Sequence, residues 1–221
     1  MSRRDGILKT NRLSLDRFRN NINVQRTEGL VKIESFHPDT VNGKRVYLGY
    51  IQFQYDEKTQ DGVIHMSNFH SRLWLRHLSF GGTSKDKDKS QTGQHGEGLK
   101  MAVNVFRRHP HNHTVRIEAS GFSWSFGYNT QLKLCCTLTR IRPERILQER
   151  VVARGLRHNT ETSYVGEDVT VIIGEPKVAR AGSGEKAKSN KVNLQDFEKW
   201  LKEELLDVNS PQSVRTAVPY R

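Results

Sequence analysis

The chain has 221 residues, 34% of them hydrophobic and 27% charged, so it is long enough to bury a substantial core within one domain. Its formal net charge of +12 and its sequence pI of about 9.9 favour a polyanionic partner, such as a nucleotide, a nucleic acid or an anionic membrane surface. The alternative is a basic protein whose charge is spread over all its surfaces. No apolar run approaches the roughly 18 residues of a membrane span, and the basic N-terminus lacks the apolar centre of a signal peptide, so a membrane-spanning protein is not expected.

The first third of the chain predicts one helix followed by strands. The segment 13–25 predicts an amphipathic helix with Ser14 as its N-cap. Residues 29–42 carry turn signals and are expected to be irregular. Alternating apolar residues then predict strands over 45–55 and 63–68, joined by a hairpin connection.

The remainder predicts further strands with helices between them. After the glycines that end at Gly98, an apolar stripe at helical spacing predicts a helix that ends near Arg108. Later strands are expected over 114–119, 122–126, 132–140 and 168–173, and a further helix over 143–156. Asn193 is expected to cap a last helix whose apolar face holds Leu194, Phe197, Leu201 and Leu205.

These elements indicate an α+β fold, a two-layer sandwich with helices on one face of a mostly antiparallel sheet. We assign residues 1–176 to one domain, 177–192 to a basic flexible linker or loop, and 193–221 to a C-terminal helix and tail. The neighbouring Cys135 and Cys136 are interpreted as buried strand residues. They are poor disulfide partners, which indicates a reducing compartment, nuclear or cytoplasmic.

The glycine-rich stretch in the middle of the chain carries the most specific pattern. Gly93, Gly96 and Gly98 form G-x-x-G-x-G at the start of a predicted helix, where free N–H groups and the helix dipole favour an anion such as phosphate. No strand precedes the glycines and no Lys-Ser/Thr pair follows them, which excludes a Rossmann fingerprint and a Walker A loop. A glycine triplet alone is equally compatible with a tight turn.

Together with the residues before it, this stretch resembles the GHKL superfamily (gyrase, heat-shock chaperone, histidine kinase, MutL), and within it the microrchidia branch. The residues that carry the resemblance are Leu78-Ser79-Phe80-Gly81, Thr83-Ser84-Lys85 and Gly93-x-x-Gly96-x-Gly98-Leu99-Lys100. The resemblance is strong over residues 62–126 and extends to uncharacterised fungal proteins with an HGEG box. It implies a Bergerat-type ATP-binding fold in which two glycine segments flank a mobile lid over the triphosphate.

The resemblance implies a set of nucleotide-binding residues. They are Asn20, Asn68, Gly81, Gly82, Thr83, Lys85, Gly93, His95, Gly96, Gly98, Lys100 and Thr170. Lys85 follows Thr83-Ser84 as in the family and is the better candidate for a phosphate contact, whereas Lys100 is alternatively a solvated helix residue. Thr170 matches a strand threonine that helps to hold adenine, or is simply a β-branched residue in a strand.

The family's first glycine box, D-x-G-x-G, is altered here. Asn68 occupies the position of the Asp that receives the adenine amino group, and its carbonyl oxygen can accept the same hydrogen bond. The glycines are missing from Ser67-Asn68-Phe69-His70, which departs from the family's pocket geometry. Alternatively, Asn68 only ends the strand in a turn.

The family's N box corresponds to Asp16-x-x-x-Asn20-x-x-Asn23 on the first predicted helix. The resemblance implies that Asn20 coordinates Mg²⁺ and that Asp16 is the general base of ATP hydrolysis. Residues at i and i+4 share one helix face, so both side chains can face a nucleotide. The alternative is a polar helix face in solvent, because Asp16 is shorter than the family's Glu and Asn23 replaces an acid.

A histidine tract, His109, His111 and His113, follows the glycine-box helix. Alternating histidines on a strand can hold a metal ion, but no cysteine or acid lies nearby and Pro110-His111-Asn112 is typical of a turn. A structural metal is therefore the lesser of the two interpretations.

Two functions follow from these patterns. The first is an ATP-binding GHKL-type domain, a slow ATPase in which Mg·ATP switches conformation and homodimerisation, as the resemblance implies. The second is a catalytically degenerate domain of the same fold that binds nucleic acid through its basic surface, or a protein partner. The similar fungal chains continue into further strands after the region that matches residues 193–206, so this chain is expected to lack a transducer domain or to be truncated.

Overall fold

A computed structural model describes residues 21–41, 43–75, 98–108, 110–148, 165–176 and 191–204. The strands in these ranges are β1 (Ile22–Thr27), β2 (Leu30–Val41), β3 (Lys44–Tyr55), β4 (Asp61–Asn68), β5 (Val115–Ala119), β6 (Phe122–Tyr128), β7 (Leu134–Arg140), β8 (Val169–Ile173) and β9 (Val192–Asn193). The helices are α1 (Gly98–Arg107), α2 (described over 143–148) and α3 (Leu194–Glu204).

The described strands form one antiparallel sheet in the order β1-β2-β3-β4-β8-β5-β6-β7, and β9 pairs with the start of β4. β8 comes late in the chain but lies between β4 and β5, antiparallel to both. It therefore joins a meander of four strands to a meander of three. The predicted α+β class with a mostly antiparallel sheet agrees with this architecture, and the finer Bergerat assignment stays a prediction.

The two faces of the sheet differ in polarity. Paired residues of an antiparallel sheet share a face, so the register places Ile64 of β4, Ile173 of β8 and Val115 of β5 on one side. Val103 of α1 and Phe197 of α3 are buried against this side, which we call the helix face. The opposite side, the polar face, carries the alternate residues of each strand.

Two adjoining clusters make up the core on the helix face. The first comprises Val24, Val31, Ile33, Ile51, Phe53, Ile64, Ile173, Val192, Phe197 and Leu201. The second comprises Leu73, Val103, Val115, Ile117, Ala119, Trp124 and Phe126. Phe106 of α1 and Val171 of β8 pack against both clusters, so the two halves of the sheet share one continuous apolar layer.

The predicted helix over 13–25 is wrong in its last part, because Ile22–Thr27 is strand β1. Apolar Ile22 and Val24 alternate with polar residues there, which is the period of a strand. Asn23, the third position of the proposed N box, lies on the polar face and donates a hydrogen bond to Glu34 (2.9 Å). It therefore does not share a helix face with Asn20. Residues 13–20 lie outside the described ranges.

The predicted irregular segment 29–42 is also wrong, because most of it is the long strand β2. Its turn signals have other roles. Pro38 lies where the β2–β3 register shifts around Phe36, a position at which a strand tolerates the missing N–H of proline. Gly43, with φ of 73°, takes the left-handed conformation of a tight hairpin turn between β2 and β3.

The last helix is integrated into the core, as its predicted apolar face requires. Phe197 stacks on Phe53 with ring centroids 4.5 Å apart. The predicted cap is confirmed, because the Asn193 side-chain oxygen accepts a hydrogen bond from the backbone N–H of Gln195 (2.9 Å). Residues 177–190 lie outside the described ranges, so the proposed division of the chain stays a prediction.

The cysteine prediction is only partly right. Cys135 lies on the polar face and is exposed, whereas Cys136 lies on the helix face, packs against the core and is half-buried. Burial raises the pKa of the Cys136 thiol to about 11, which makes it a weak nucleophile at neutral pH.

We expect Phe197→Ala to lower the free energy of unfolding by about 3–5 kcal/mol, because it removes a buried ring that packs on Phe53. The exposed Lys199 on the same helix is the matched control, and Lys199→Ala is expected to change stability by less than about 0.5 kcal/mol. Urea unfolding followed by circular dichroism measures both values. Equal, small effects would mean that α3 contributes nothing to the core.

Candidate functional site

One row of paired residues crosses the sheet and marks the edge at which the candidate residues lie. The row consists of Ile22, Ser35, Gly49, Asn68, Val169, Ala119, Phe122 and Arg140. Asn68 is the last residue of β4 and Val169 is the first residue of β8, so this row coincides with strand ends in the middle of the sheet. We call the rim of the sheet at this row, where β4 ends and β8 begins, the site edge.

Helix α1 packs along β5, and its length places its first turn toward the site edge. Its last turn lies beside the start of β5, because the His113 N–H donates to the Phe106 carbonyl (2.8 Å) and Arg107 donates to the His113 carbonyl (3.2 Å). A helix of this length rises about 15 Å, close to the length of β5, so an axis antiparallel to β5 would bring the first turn toward Ala119. Leu99 of that turn packs against the core cluster that contains Ala119. The predicted helix is confirmed over Gly98–Arg107, whereas Gly93 and Gly96 lie outside the described ranges.

The segment after β4 is held against the neighbouring strand ends. The His70 N–H donates to the carboxylate of Asp168 (2.9 Å), which is fully buried just before β8. Ser120, in the turn after β5, donates to the carbonyl of Leu73 (2.9 Å). Leu73 also enters the core cluster that contains Val103 of α1. These contacts bring the region of the first glycine box and the glycine-box helix to one place.

His70 occupies the position of the first glycine in the family's D-x-G-x-G box, counted from Asn68. Its φ of 51° lies in the left-handed region that favours glycine. A residue with a Cβ adopts this conformation at a cost of about 1–2 kcal/mol. The turn thus keeps the backbone form that a glycine would give, and the hydrogen bond to Asp168 helps to hold it.

The Asn68 side chain has one satisfied and one unsatisfied end. Its amide nitrogen donates to the Ser71 hydroxyl. Its carbonyl oxygen is buried and accepts no hydrogen bond from the part of the chain that the structure describes. A buried acceptor without a donor costs about 1–3 kcal/mol, so this atom favours a ligand that carries an N–H group.

Thr170 does not share a face with Asn68. β4 and β8 pair Asn68 with Val169 and Ser67 with Thr170, so consecutive pairs point to opposite faces of the sheet. The Thr170 and Ser67 hydroxyls are buried on the polar face, 3.1 Å apart. The predicted contact between Thr170 and adenine stays a prediction. The strand register disfavours a single pocket that contains both Thr170 and Asn68.

Of the other candidates, the described residues include only Lys100, which lies half-buried in the first turn of α1. The candidates outside the described ranges are Asp16, Asn20, Gly81, Gly82, Thr83, Lys85, Gly93, His95 and Gly96. Asn20 precedes Ile22 by two residues in the sequence. Ile22 begins the row of the site edge, and three strand spacings, about 14 Å, separate it from Asn68. The roles of Asn20 toward Mg²⁺ and of Asp16 as base stay predictions.

The polar face holds a charged network that the sequence analysis missed. Glu118 accepts hydrogen bonds from Arg145 (2.8 and 3.1 Å) and from Arg116, which also binds Glu175 with two contacts (2.7 and 2.8 Å). Burial alone would raise the pKa of Glu118, but the hydrogen bonds and positive charges of Arg145 and Arg116 outweigh it and lower the pKa. Charged residues alternating with apolar ones in β5 were the available signal.

The histidine tract packs against the last helix. Pro110 and His111 form the predicted turn. The rings of His111 and His113 stack with centroids 5.5 Å apart, and Trp200 of α3 lies edge-on to both at 6.1 Å. Among the residues that the structure describes, no group of three or more His, Cys, Asp or Glu side chains is arranged to hold a metal ion. His109 lies outside these residues.

Comparison with known proteins gave no match: no family model, no curated protein and no solved structure matched the chain. Among the helices in the described ranges, none combines the length and the apolar character needed to cross a bilayer. The geometry of the site edge and the residues that form it are therefore the basis for the proposed function.

We expect His70→Gly to raise the free energy of unfolding by up to about 1 kcal/mol, because the relief of left-handed strain exceeds the added freedom of the unfolded chain. The exposed Arg72, two residues later, is the matched control. It lacks a positive φ, so Arg72→Gly is expected to lower stability through the added freedom of the unfolded chain. Urea unfolding compares the two variants, and equal destabilisation by both would contradict a strained turn at His70.

We expect Glu118→Gln to lower the free energy of unfolding by about 1.5–3 kcal/mol at neutral pH, because it weakens charge-assisted hydrogen bonds to two arginines. The folded-state pKa of Glu118 is below its ordinary value of 4.5, so the contribution is complete above that pH and is lost as pH falls through the folded-state pKa. Urea unfolding of wild type and variant at a series of pH values should therefore show the two curves converging in acid. The exposed Glu144→Gln serves as the control, for which no such difference is expected.

Proposed function

We propose that this chain binds ATP at the site edge, as a GHKL-type domain whose conformation depends on the bound nucleotide. The observation that carries the proposal is the buried carbonyl oxygen of Asn68, which has no donor among the described residues and lies at the site edge, toward which α1 extends from the start of β5. An acceptor for a nucleobase and a helix start for phosphates occur together there, which a tight turn alone would not require.

The amide of Asn68 favours a base with an amino group. Because its nitrogen donates to Ser71, the carbonyl oxygen is the end available to a ligand. The exocyclic amino group of adenine is a suitable donor. Hypoxanthine presents an oxygen at the same position, and two acceptors facing each other in a buried site are unfavourable. ATP is therefore preferred over ITP.

The first turn of α1 supports the phosphate part of the proposal. Its described residues include no acid, although Glu97 directly precedes them in the sequence, and Gly98 allows the backbone to approach the ligand closely. Lys100 in the same turn adds positive charge near the proposed phosphates. In the sequence, Lys85 and the glycines from Gly93 onward precede this turn.

Hydrolysis is the further step of the proposal. Asp16 would orient or deprotonate the attacking water, and Asn20 would hold the Mg²⁺ ion that neutralises phosphate charge. The reaction would depend on positioning and charge stabilisation and would be slow. A degenerate domain that binds nucleic acid is the second candidate, since His70 replaces a glycine of the family's box.

Isothermal titration with ATP and ITP, with and without Mg²⁺, tests the proposal. We expect wild type to bind ATP at least about tenfold more tightly than ITP, because one hydrogen bond to a buried acceptor is worth about 1–3 kcal/mol. Asn68→Leu is expected to lose this preference. Thr170→Val is the matched control, because Thr170 lies on the polar face and its variant should leave the preference unchanged.

A second variant separates base recognition from phosphate binding. Gly98→Val is expected to weaken ATP and ITP equally, because a β-branched side chain blocks the approach to the first turn of α1. If wild type binds neither nucleotide at millimolar concentration, the proposal is wrong. A salt-dependent affinity for DNA that nucleotides do not alter would then support the degenerate binding module.

A further inference from the structure

One side of the β7 backbone has no strand partner among the residues that the structure describes. Two hydrogen bonds bracket the β6–β7 pairing: Asn129 N–H to the Lys133 carbonyl (3.0 Å) and Ile141 N–H to the Gly121 carbonyl (2.9 Å). Because bonded and non-bonded pairs alternate along an antiparallel ladder, the odd-numbered residues of β7 bond to β6. The residues that direct N–H and C=O away from β6 are Leu134, Cys136, Leu138 and Arg140.

Nothing among the described residues pairs with this outer side of β7. The strand is seven residues long. Five of its residues are exposed: Cys135, Thr137, Leu138, Thr139 and Arg140. Its sequence, Leu-Cys-Cys-Thr-Leu-Thr-Arg, has no charge before its last residue and no proline, the usual devices that prevent pairing at a sheet edge. At the other end of the sheet order, β1 carries Arg26 in an ion pair with Glu198 of α3.

The ends of β7 are basic. Between residues 129 and 142 the sequence contains Lys133, Arg140 and Arg142 and no aspartate or glutamate. All three side chains are exposed, and none forms an ion pair with another described residue. The nearest acid in sequence, Glu144, follows in α2. A strand added to this edge would therefore meet positive charge at both ends of a neutral centre.

We propose that β7 binds an extended, acidic peptide segment of a partner protein, which adds to the sheet as a further strand. The backbone of β7 supplies the hydrogen bonds, and the basic ends select acidic residues that flank a β-branched centre. A second copy of this chain is a poorer occupant. Antiparallel self-pairing centred on Thr137 would place Lys133 beside Arg140 and Arg142 of the other copy, and such like-charge neighbours are destabilising.

Fluorescence anisotropy with synthetic peptides and the full chain tests this proposal. The probe is a labelled peptide, Glu-Glu-Thr-Val-Thr-Val-Glu-Glu, compared with a version that has Lys in place of Glu and with a version N-methylated throughout its centre. We expect the acidic peptide to bind at least tenfold more tightly than either of the others. Equal binding of the N-methylated peptide would show that charge alone holds it, and would overturn the proposal.

Two variants of Leu138 place the interaction on the strand. Leu138→Pro removes an outward N–H without removing a bond to β6, so it should abolish binding of the acidic peptide. Leu138→Ala keeps the N–H and is the matched control, with binding expected to stay within a few-fold of wild type. The N-methylated peptide decides the matter independently should Leu138→Pro fail to fold.

Sedimentation velocity tests for the other occupant of this edge, a second copy of the chain. We expect no self-association of the chain through β7 in the absence of peptide. A dimer that Leu138→Pro dissociates would overturn it in favour of pairing between two copies. Failure of the acidic peptide to bind at millimolar concentration would overturn it as well.

Discussion

The position of β8 between β4 and β5 is the constraint on which the rest of the structure depends. Without it, the strands before the glycine box and the strands after it would form two separate meanders. Its register aligns Val171 with Met66 on one side and with Ile117 on the other, and Val171 packs against both core clusters. Such pairing joins residues far apart in sequence, so the loop entropy that opposes it must be overcome before the two halves share a core.

The parts of the fold that could be predicted from sequence are those with a clear local period. The strand 45–55, the helix that begins at Gly98 and the cap at Asn193 follow from side-chain spacing and capping chemistry, and the structure confirms them. The segment 29–42 could not be predicted in the same way. Pro38 signals a turn locally, but pairing with β3 over most of its length converts that signal into a register shift within a strand.

The candidate site shows a second limit of local inference. The sequence shows that His70 stands where the family's motif has a glycine, but it does not show the conformation that His70 adopts. That conformation depends in part on Asp168, which lies 98 residues later and accepts the His70 N–H. The composition of a glycine box is therefore a weaker guide than the φ angle, because a tertiary hydrogen bond can stabilise a strained turn in a residue that carries a side chain.

Strand parity decides which residues a ligand on the helix face can meet. A shift of one residue moves a side chain to the other face, so Thr170 joins Ser67 on the polar face, while its neighbour Val169 lies opposite Asn68. Val169 is apolar and packs against the core cluster of α1. It would offer a bound base an apolar surface but no hydrogen bond. In the proposed site, the polar discrimination between bases would therefore fall, among these three residues, on Asn68. Its amide is oriented by Ser71, so the acceptor is already in place before a ligand arrives.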